Sequence, residues 1–112
     1  MEQVLRQKDI ILVSFPFSDQ STEKRRPALV ISSDKFNATS FDVIVCAITS
    51  NLDAVNSVLI KPDDWKDGVY SECCIKTASV LTLDKKMAMK KIGRLSGERF
   101  REAKQKLLEI LA

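Results

Sequence analysis

Residues 8–32, KDIILVSFPFSDQSTEKRRPALVIS, place two apolar runs on either side of a polar stretch. The first run is Ile10–Val13, extended by Phe15-Pro16-Phe17, and the second is Ala28–Ile31. Short apolar runs rich in β-branched side chains, bounded by polar turns, are typical of buried strands. We therefore expect two strands here, joined by an exposed loop over Ser18–Arg26.

Segments of similar composition continue along the chain. Further strands are expected at Val43–Thr49, Ser57–Lys61, Glu72–Lys76 and Ala78–Leu83, and a polar turn region at Asp34–Asp42. Pro62–Trp65 is typical of one helical turn that begins with Pro. Residues 1–7 fit a short helix or a frayed lead-in. Met87–Arg94 stays ambiguous, because Met and Lys favour a helix whereas Ile92-Gly93 favours a strand that ends in a turn.

The C-terminal segment predicts an amphipathic helix. Ser96 is a suitable N-cap, and apolar side chains follow at helical spacing. They are Phe100, Ala103, Leu107, Ile110 and Leu111. Short strands followed by one terminal helix predict a mainly β fold, a strongly bent sheet or small barrel closed by that helix. With no repeat or linker in 112 residues, we expect one domain over residues 1–112.

Composition restricts the class of protein. The chain is 45% apolar and 29% charged, as in globular proteins and unlike disordered ones. No apolar run approaches the ~20 residues of a membrane-spanning helix, so no membrane association is expected. The start, MEQVLRQKDI, lacks the basic and apolar regions of a secretory signal. These features predict a cytoplasmic protein.

The chain has no histidine and only three cysteines, Cys46, Cys73 and Cys74. An odd set with two adjacent members does not fit a disulfide scaffold, and a zinc site would need scattered thiols plus a carboxylate. Without histidine, Ser-His-Asp and Cys-His catalysis are excluded. Any catalysis must use Arg, Lys, carboxylates, hydroxyls or thiols, and no metal or other cofactor is expected.

Positive charge is concentrated in two places. Lys85 to Ala112 contains nine basic and three acidic residues, whereas Met1 to Asp84 contains nine basic and twelve acidic residues. A compact cluster, Lys24-Arg25-Arg26, precedes Pro27. Basic patches attract polyanions, although a solvated basic face is the alternative interpretation. Because Pro27 favours extended geometry at Arg26, we expect Arg26 at a strand's start, where its planar fork can bind phosphate.

A second candidate position is Thr49-Ser50-Asn51, where an apolar strand ends. Hydroxyl and amide groups there can bind phosphate oxygens or a 2′-hydroxyl, but they are also common turn formers. Trp65 and Tyr70, the only Trp and Tyr, can stack on an unpaired base or pack in the core. Residue types alone leave these alternatives open.

Four segments, in this order and spacing, resemble the MazF/PemK-like toxins of type II toxin–antitoxin pairs. They are KDIILVSFPFSD, KRRPALVIS, DVIVCAITS and TLDKKMAMKKIGRLS, and with the terminal helix they cover Asp9 to Leu111. The resemblance implies a small SH3-like β-barrel with a C-terminal helix, a homodimer, and metal-independent endoribonuclease activity on single-stranded RNA. It also implies a cognate antitoxin whose C-terminal segment covers the RNA groove. Complexes of such pairs often bind operator DNA, mainly through the antitoxin.

The resemblance transfers two catalytic positions. The family's Arg before the strand-opening Pro is Arg26, and its Thr at the end of the AIT strand is Thr49. Side chains expected to bind RNA are Lys24, Arg25, Ser50, Asn51, Lys76 and Ser79. One branch of the family carries an Asp general base where this chain has Ala78 and an Arg where it has Lys76. The Gly that the family usually has before the first strand is Lys8 here, which we expect to be a minor backbone difference.

The resemblance therefore leaves the general base unassigned. Asp19 and Glu23, in the loop before the basic cluster, are the available carboxylates. Two other functions stay open: a toxin of the same fold that binds a protein target, as the gyrase-poisoning CcdB-type proteins do, and a degenerate relative that binds antitoxin or nucleic acid without cleavage. Exposed apolar residues near Val58, Ile60 or the C-terminal helix could supply a dimer interface, and the sequence does not choose among them.

Overall fold

One curled antiparallel sheet forms most of the protein. The structure, a computed structural model, describes residues 4–15 and 24–112. Its strands are β1 (Asp9–Phe15), β2 (Lys24–Val30), β3 (Asp42–Thr49), β4 (Ser57–Ile60), β5 (Trp65–Lys66), β6 (Cys73–Asp84) and β7 (Ala88–Leu95). They lie in the order β4-β6-β3-β2-β1-β7-β5. The helices are α1 (Asp34–Thr39) and α2 (Gly97–Leu111), with 3-10 turns at Pro62–Asp64 and Lys85–Met87. The predicted mainly β fold with a C-terminal helix is confirmed.

The central strands are apolar on both faces because each face covers a separate core. Ile10 and Leu29, paired across β1 and β2, point into a core shared with α2. Ile11 and Val30, one residue along each strand, point into a second core. Strands buried on both faces have continuous apolar sequences rather than alternating ones. This double burial explains the apolar runs that predicted β1, β2 and β3.

β6 is one strand with a wide bulge, although the sequence predicted two strands. Cys46 pairs with Val80 and the next residue of β3, Ala47, pairs with Lys76. Residues 77–79 therefore protrude from the ladder, and we call them the β6 bulge. Thr77 is fully buried, and its hydroxyl and N–H both donate to the Asn56 carbonyl, at 2.6 and 3.2 Å. The buried hydroxyl satisfies its hydrogen bond and fixes the bulge.

The turn region predicted at Asp34–Asp42 is wrong, since it contains α1. Ser33 caps this helix and accepts a hydrogen bond from the Phe36 N–H at 3.1 Å. Within this helix Asn37 is buried, and its side chain forms hydrogen bonds with the Ser32 hydroxyl and the Ser32 carbonyl. A cap and one buried amide stabilise a helix too short to be recognised from its apolar periodicity.

Several predicted boundaries also change. β2 begins at Lys24, inside the predicted loop, because Lys24 and Arg25 pair with Phe15 and Ser14 of β1. The ambiguous segment Met87–Arg94 is mostly strand, β7, and no helix lies within residues 4–7. Residues 1–3 and the rest of the predicted loop, with Pro16-Phe17, lie outside the described residues.

α2 begins as predicted but buries less of its apolar face. The Ser96 hydroxyl accepts from the Arg99 N–H at 3.2 Å, which confirms the N-cap. Phe100 and Ala103 are buried, whereas Leu111 is 72% exposed. Within the described part of the chain, neither helix has the length and apolar content to cross a bilayer.

The expected exposure of Val58 and Ile60 is wrong. Their side chains are 4% and 0% exposed, because β4 turns both into the core beneath α2. Neither can contribute to a dimer interface without unfolding this edge of the sheet.

Lys8 occupies the turn before β1 in a left-handed conformation, with φ 81°. Its N–H donates to the Val30 carbonyl at 2.9 Å, and its carbonyl accepts from the Leu95 N–H at 2.8 Å. These bonds tie β2 to β7 through one residue. Glycine adopts this conformation without a Cβ clash, which is the physical reason a Gly suits this position.

Gly93 packs against the face of Trp65, and this contact generates a testable prediction. A Cβ at residue 93 would lie 2.5 Å from Trp65 Nε1 and 2.6 Å from Cε2. We expect Gly93→Ala to lower the free energy of unfolding by about 2 kcal/mol, since overpacking a core typically costs 1–3 kcal/mol. Chemical denaturation followed by tryptophan fluorescence measures the loss.

Gly97→Ala is the matched control. A Cβ at that position meets nothing nearer than Lys8 Nζ at 3.9 Å, and alanine favours helix. Its stability should equal or slightly exceed that of the wild type. Equal stability of the two variants would contradict the packing assigned to Gly93.

Candidate active site

Arg26 and Thr49 lie on neighbouring strands. Thr49 is the last residue of β3, and Arg26 is the third residue of β2, not the first as expected. The β2–β3 ladder pairs Val30 with Val45 and Ala28 with Ala47. Extending this register by two residues places Arg26 across from Thr49. Pro27 has no N–H to donate, so the ladder ends at Ala28. Beyond Ala28 the two strands no longer pair, and side chains line the space between them.

Two adjoining pockets occupy this space and share Arg26, Pro27, Ile48 and Thr49 as a common wall. The first, which we call the Trp65 pocket, has a volume of 460 Å³. Its other lining residues are Ser50, Trp65, Val69, Ser71, Glu72, Cys73 and Ile92. The second, the bulge pocket, has a volume of 360 Å³ and is also lined by Ala47, Lys76, Ser79 and Leu81. The two predicted catalytic residues thus line both pockets.

The bulge pocket has the chemistry of a phosphate site. Arg26 and Lys76 contribute two cations, and Thr49 and Ser79 contribute hydroxyls. The Arg26 guanidinium makes no hydrogen bond or ion pair with the described residues. Thr49 Oγ1 accepts from the Asn51 N–H at 3.1 Å, which orients the hydroxyl and leaves its proton free to donate. Such donors suit an anionic oxygen.

The Trp65 pocket combines an apolar wall with one carboxylate. Trp65 is only 9% exposed and packs edge-to-face on Tyr70, with ring centroids 6.1 Å apart. The Tyr70 hydroxyl donates to the Ile60 carbonyl at 2.9 Å. These aromatic side chains are packed rather than free to stack on a base, so the structure supports the core interpretation of the pair. Glu72 is exposed at the rim of the pocket.

Cys73 lines the Trp65 pocket but has the properties of a neutral thiol. Burial raises its pKa to about 11, with a smaller contribution from Cys74. Burial likewise raises the pKa of Cys46 to about 11. Because the thiolate is the reactive form of cysteine, these two side chains are not nucleophiles near neutral pH. The remaining candidates for chemistry are the cations, the hydroxyls and the carboxylate.

The other predicted site residues separate into two groups. Ser50, Lys76 and Ser79 line the pockets as expected. Asn51 instead forms a turn, where its side-chain oxygen accepts from the Asp53 N–H at 3.0 Å. Arg25 is exposed and lines neither pocket.

Four of the positions considered in the sequence are not among the described residues of the site. The Lys24 side chain, Asp19 and Glu23 lie outside the described residues. Ala78 is exposed in the β6 bulge and lines neither pocket. Glu72 was not predicted as a site residue; the sequence placed it only at the start of the predicted strand Glu72–Lys76. An acidic residue just before the strand that pairs with Thr49 was the available signal.

Asp64 anchors the turn that carries Trp65. Its carboxylate accepts from the Lys61 N–H at 2.9 Å, from the Ser96 hydroxyl at 3.2 Å and from Arg99 Nε at 2.8 Å. Burial alone would raise the pKa of this carboxyl. The Lys61 hydrogen bond, together with the hydrogen bond and charge of Arg99, outweighs burial and lowers the pKa below its usual range. The wall of the Trp65 pocket is thereby fixed to α2.

Solved structures of low sequence identity share this fold. A chain titled endoribonuclease from mycobacterial species aligns with a TM-score of 0.80 at 14% identity, covering 98% of this chain and 93% of that one. A MazE-MazF crystal structure from Deinococcus radiodurans aligns at 0.80 and 21% identity, covering 98% and 97%. An endoribonuclease in complex with its cognate antitoxin, again mycobacterial, aligns at 0.78 and 15%, covering 96% and 93%.

The sequence identifies the family to which this toxin-like fold belongs. The sequence model of the PemK-like, MazF-like toxins of type II toxin–antitoxin systems matches residues 6–111. The chain belongs to that family, which confirms the resemblance seen in its four motifs. No curated protein matches the chain at a significant level.

Asp64→Asn should destabilise the protein by about 2 kcal/mol near neutral pH, because hydrogen bonds to a charged group contribute about 1.5–3 kcal/mol. A carboxyl with a lowered pKa stabilises the fold above its unfolded-state pKa, and this stabilisation is lost as pH falls through the folded-state pKa. The gap between wild type and variant should therefore shrink in acid. Urea denaturation at several pH values measures it.

Asp63→Asn provides the control, since the neighbouring Asp63 is exposed on the same turn. Its stability should remain within about 0.5 kcal/mol of the wild type, as for most surface substitutions. An Asp64→Asn gap that stays constant from neutral to acid pH would refute the charge-dependent anchor.

Proposed function

We propose that the protein is the growth-inhibiting toxin of a type II pair and acts as a sequence-selective endoribonuclease on single-stranded RNA, mRNA included. Cleavage needs no metal and proceeds by attack of the ribose 2′-hydroxyl on the adjacent phosphate. The products carry 2′,3′-cyclic phosphate and 5′-hydroxyl ends. The observation that carries this proposal is the shared wall of the two pockets, to which β2 contributes Arg26 and the end of β3 contributes Thr49.

Each residue of the shared wall has a task in this reaction. The attack creates a phosphorane-like transition state whose extra negative charge needs a fixed donor. The Arg26 guanidinium, which no described residue neutralises, supplies that donor from a strand rather than a loop. Thr49 holds a non-bridging oxygen or the 2′-hydroxyl, and contact with a 2′-hydroxyl would distinguish RNA from DNA. Lys76 and Ser79 add contacts to the phosphate.

The proposed partners follow from the family. A cognate antitoxin would neutralise the protein by covering the pockets with its C-terminal segment, and the toxin–antitoxin complex would bind operator DNA mainly through the antitoxin. A solved relative of similar fold is titled as a complex with its cognate antitoxin. We also propose a homodimer that works in the cytoplasm.

Arg26→Ala should lower the cleavage rate by at least ~10²-fold, as expected for loss of one transition-state donor. The assay incubates purified protein with a long single-stranded RNA in EDTA and maps the cuts by primer extension. Arg25→Ala is the matched control, because the adjacent Arg25 lies outside both pockets. It should cut at the same sites, with at most a modest loss of RNA affinity.

The chemistry of the product ends and an assay of growth inhibition can each contradict the proposed function. Products with 5′-phosphate ends would require water as the nucleophile and would refute the scheme. Uncut RNA from folded, growth-inhibiting wild type would favour a toxin that binds a protein target. Uncut RNA without growth inhibition would favour a relative that binds without cleavage.

A further inference from the structure

We propose that Glu72 is the general base of this reaction, an inference that rests on the proposed ribonuclease activity. Among the described residues that line the two pockets, Glu72 is the one carboxylate. The chain has no histidine, and burial keeps the Cys73 thiol protonated. The 2′-hydroxyl must lose a proton during attack, and Glu72 is the acceptor that the pockets offer.

The position of Glu72 follows from strand pairing. It immediately precedes β6, and two residues further on, Cys74 pairs with Thr49 of β3. Glu72 therefore reaches the Trp65 pocket from the strand next to Thr49. Its side chain is exposed and makes no hydrogen bond or ion pair with the described residues. A carboxylate in this state is free to accept a proton from a bound substrate.

The departure at Ala78 makes an alternative base necessary. Ala78 stands where one branch of the family has an Asp, and here it is exposed in the β6 bulge, away from both pockets. Glu72, immediately before β6, supplies the carboxylate that is absent at Ala78 in the strand itself. The same strand thus provides Glu72 to one pocket and Lys76 to the other.

This arrangement assigns the base and the acid to different pockets, which share Arg26 and Thr49 in their common wall. In-line displacement at phosphorus needs the attacking and leaving oxygens on opposite sides of the reacting phosphate. With that phosphate on Arg26 and Thr49, in-line attack requires Glu72 to approach it from the Trp65 pocket and Lys76 from the bulge pocket. We assign the 2′-oxygen to the Glu72 side and the leaving 5′-oxygen to the Lys76 side.

The proton and bond changes then balance. The Glu72 carboxylate takes the 2′-hydroxyl proton while the 2′-oxygen forms its bond to phosphorus. The bond from phosphorus to the 5′-oxygen breaks with its electron pair on that oxygen, which takes a proton from the Lys76 ammonium. Glu72 then releases its proton to solvent and Lys76 regains one. The cycle needs no oxidant, reductant or metal.

Glu72→Gln tests the base, because glutamine keeps the size of the side chain and removes its basicity. Under single-turnover conditions we expect the maximal cleavage rate to fall at least ~10²-fold, with the half-saturating RNA concentration within about twofold of the wild type. Asp63→Asn, an exposed acid outside both pockets, should leave both quantities unchanged.

A substrate with sulfur in place of the leaving 5′-oxygen separates the two proton transfers, since a thiolate leaves without protonation. On this substrate Glu72→Gln should still cleave at least ~10²-fold more slowly than the wild type. Lys76→Met, which should be slow on ordinary RNA, should recover most of the wild-type rate on this substrate. Recovery of Glu72→Gln on the sulfur substrate would overturn its role as base. Continued slowness of Lys76→Met would overturn its role as acid.

The same assay distinguishes failure of this inference from failure of the proposed function. RNA left uncut by the folded wild type refutes ribonuclease activity altogether. Cleavage by Glu72→Gln within threefold of the wild type refutes only the assignment of the base. A large loss in Asp19→Asn or Glu23→Gln, with Glu72→Gln still active, would assign the base to Asp19 or Glu23 instead and overturn the proposal. A weaker affinity with an unchanged maximal rate would make Glu72 a binding residue and overturn the proposal.

Discussion

Backbone pairing between β2 and β3 determines where the candidate site lies. The ladder that joins Val30 to Val45 and Ala28 to Ala47 fixes the register of both strands, and a slip of one residue would turn every side chain to the other face. Pro27 ends the ladder without ending the strand, since β2 continues along β1, where Arg26 pairs with Val13. Arg26 is thus held on one side and open toward β3 on the other. Folding therefore orders the backbone of Arg26, whereas its exposed side chain is ordered only when it binds a ligand.

The β6 bulge is the second device that shapes the site. It inserts residues 77–79 between two successive pairs of the β3–β6 ladder, opposite Cys46 and Ala47, two residues before Thr49. Lys76 and Ser79, on either side of its centre, line the bulge pocket, while Thr77 is held in the interior by its bonds to Asn56. Bulges next to active sites commonly re-aim side chains in this way. The bulge gives the site the Ser79 hydroxyl, and Lys76, immediately before the bulge, adds a cation. Ala78, at the centre of the bulge, has no reactive side-chain group.

The apolar runs predicted β1 and β2 because Ile10, Ile11, Val13 and residues 28–30 pack into the two cores. Residue types made Arg26 and Thr49 candidates, and their catalytic roles rest on the family resemblance. The sequence did not predict features that depend on specific contacts rather than on composition or periodicity. α1 depends on the contact of Asn37 with Ser32, and the burial of Val58 depends on α2. Glu72 lies at the site only because β6 pairs with β3, and no local sequence pattern encodes that pairing.

Arg26 and Thr49 form one functional unit in this account, and a double-mutant cycle on the cleavage rate tests that claim most directly. Single-turnover rates of Arg26→Ala, Thr49→Ala and the double variant would be compared with the wild type on one RNA. Residues that act on the same transition state are strongly non-additive. The account predicts a double variant about as slow as the slower single variant. Losses that multiply independently would contradict a shared site at the ends of β2 and β3.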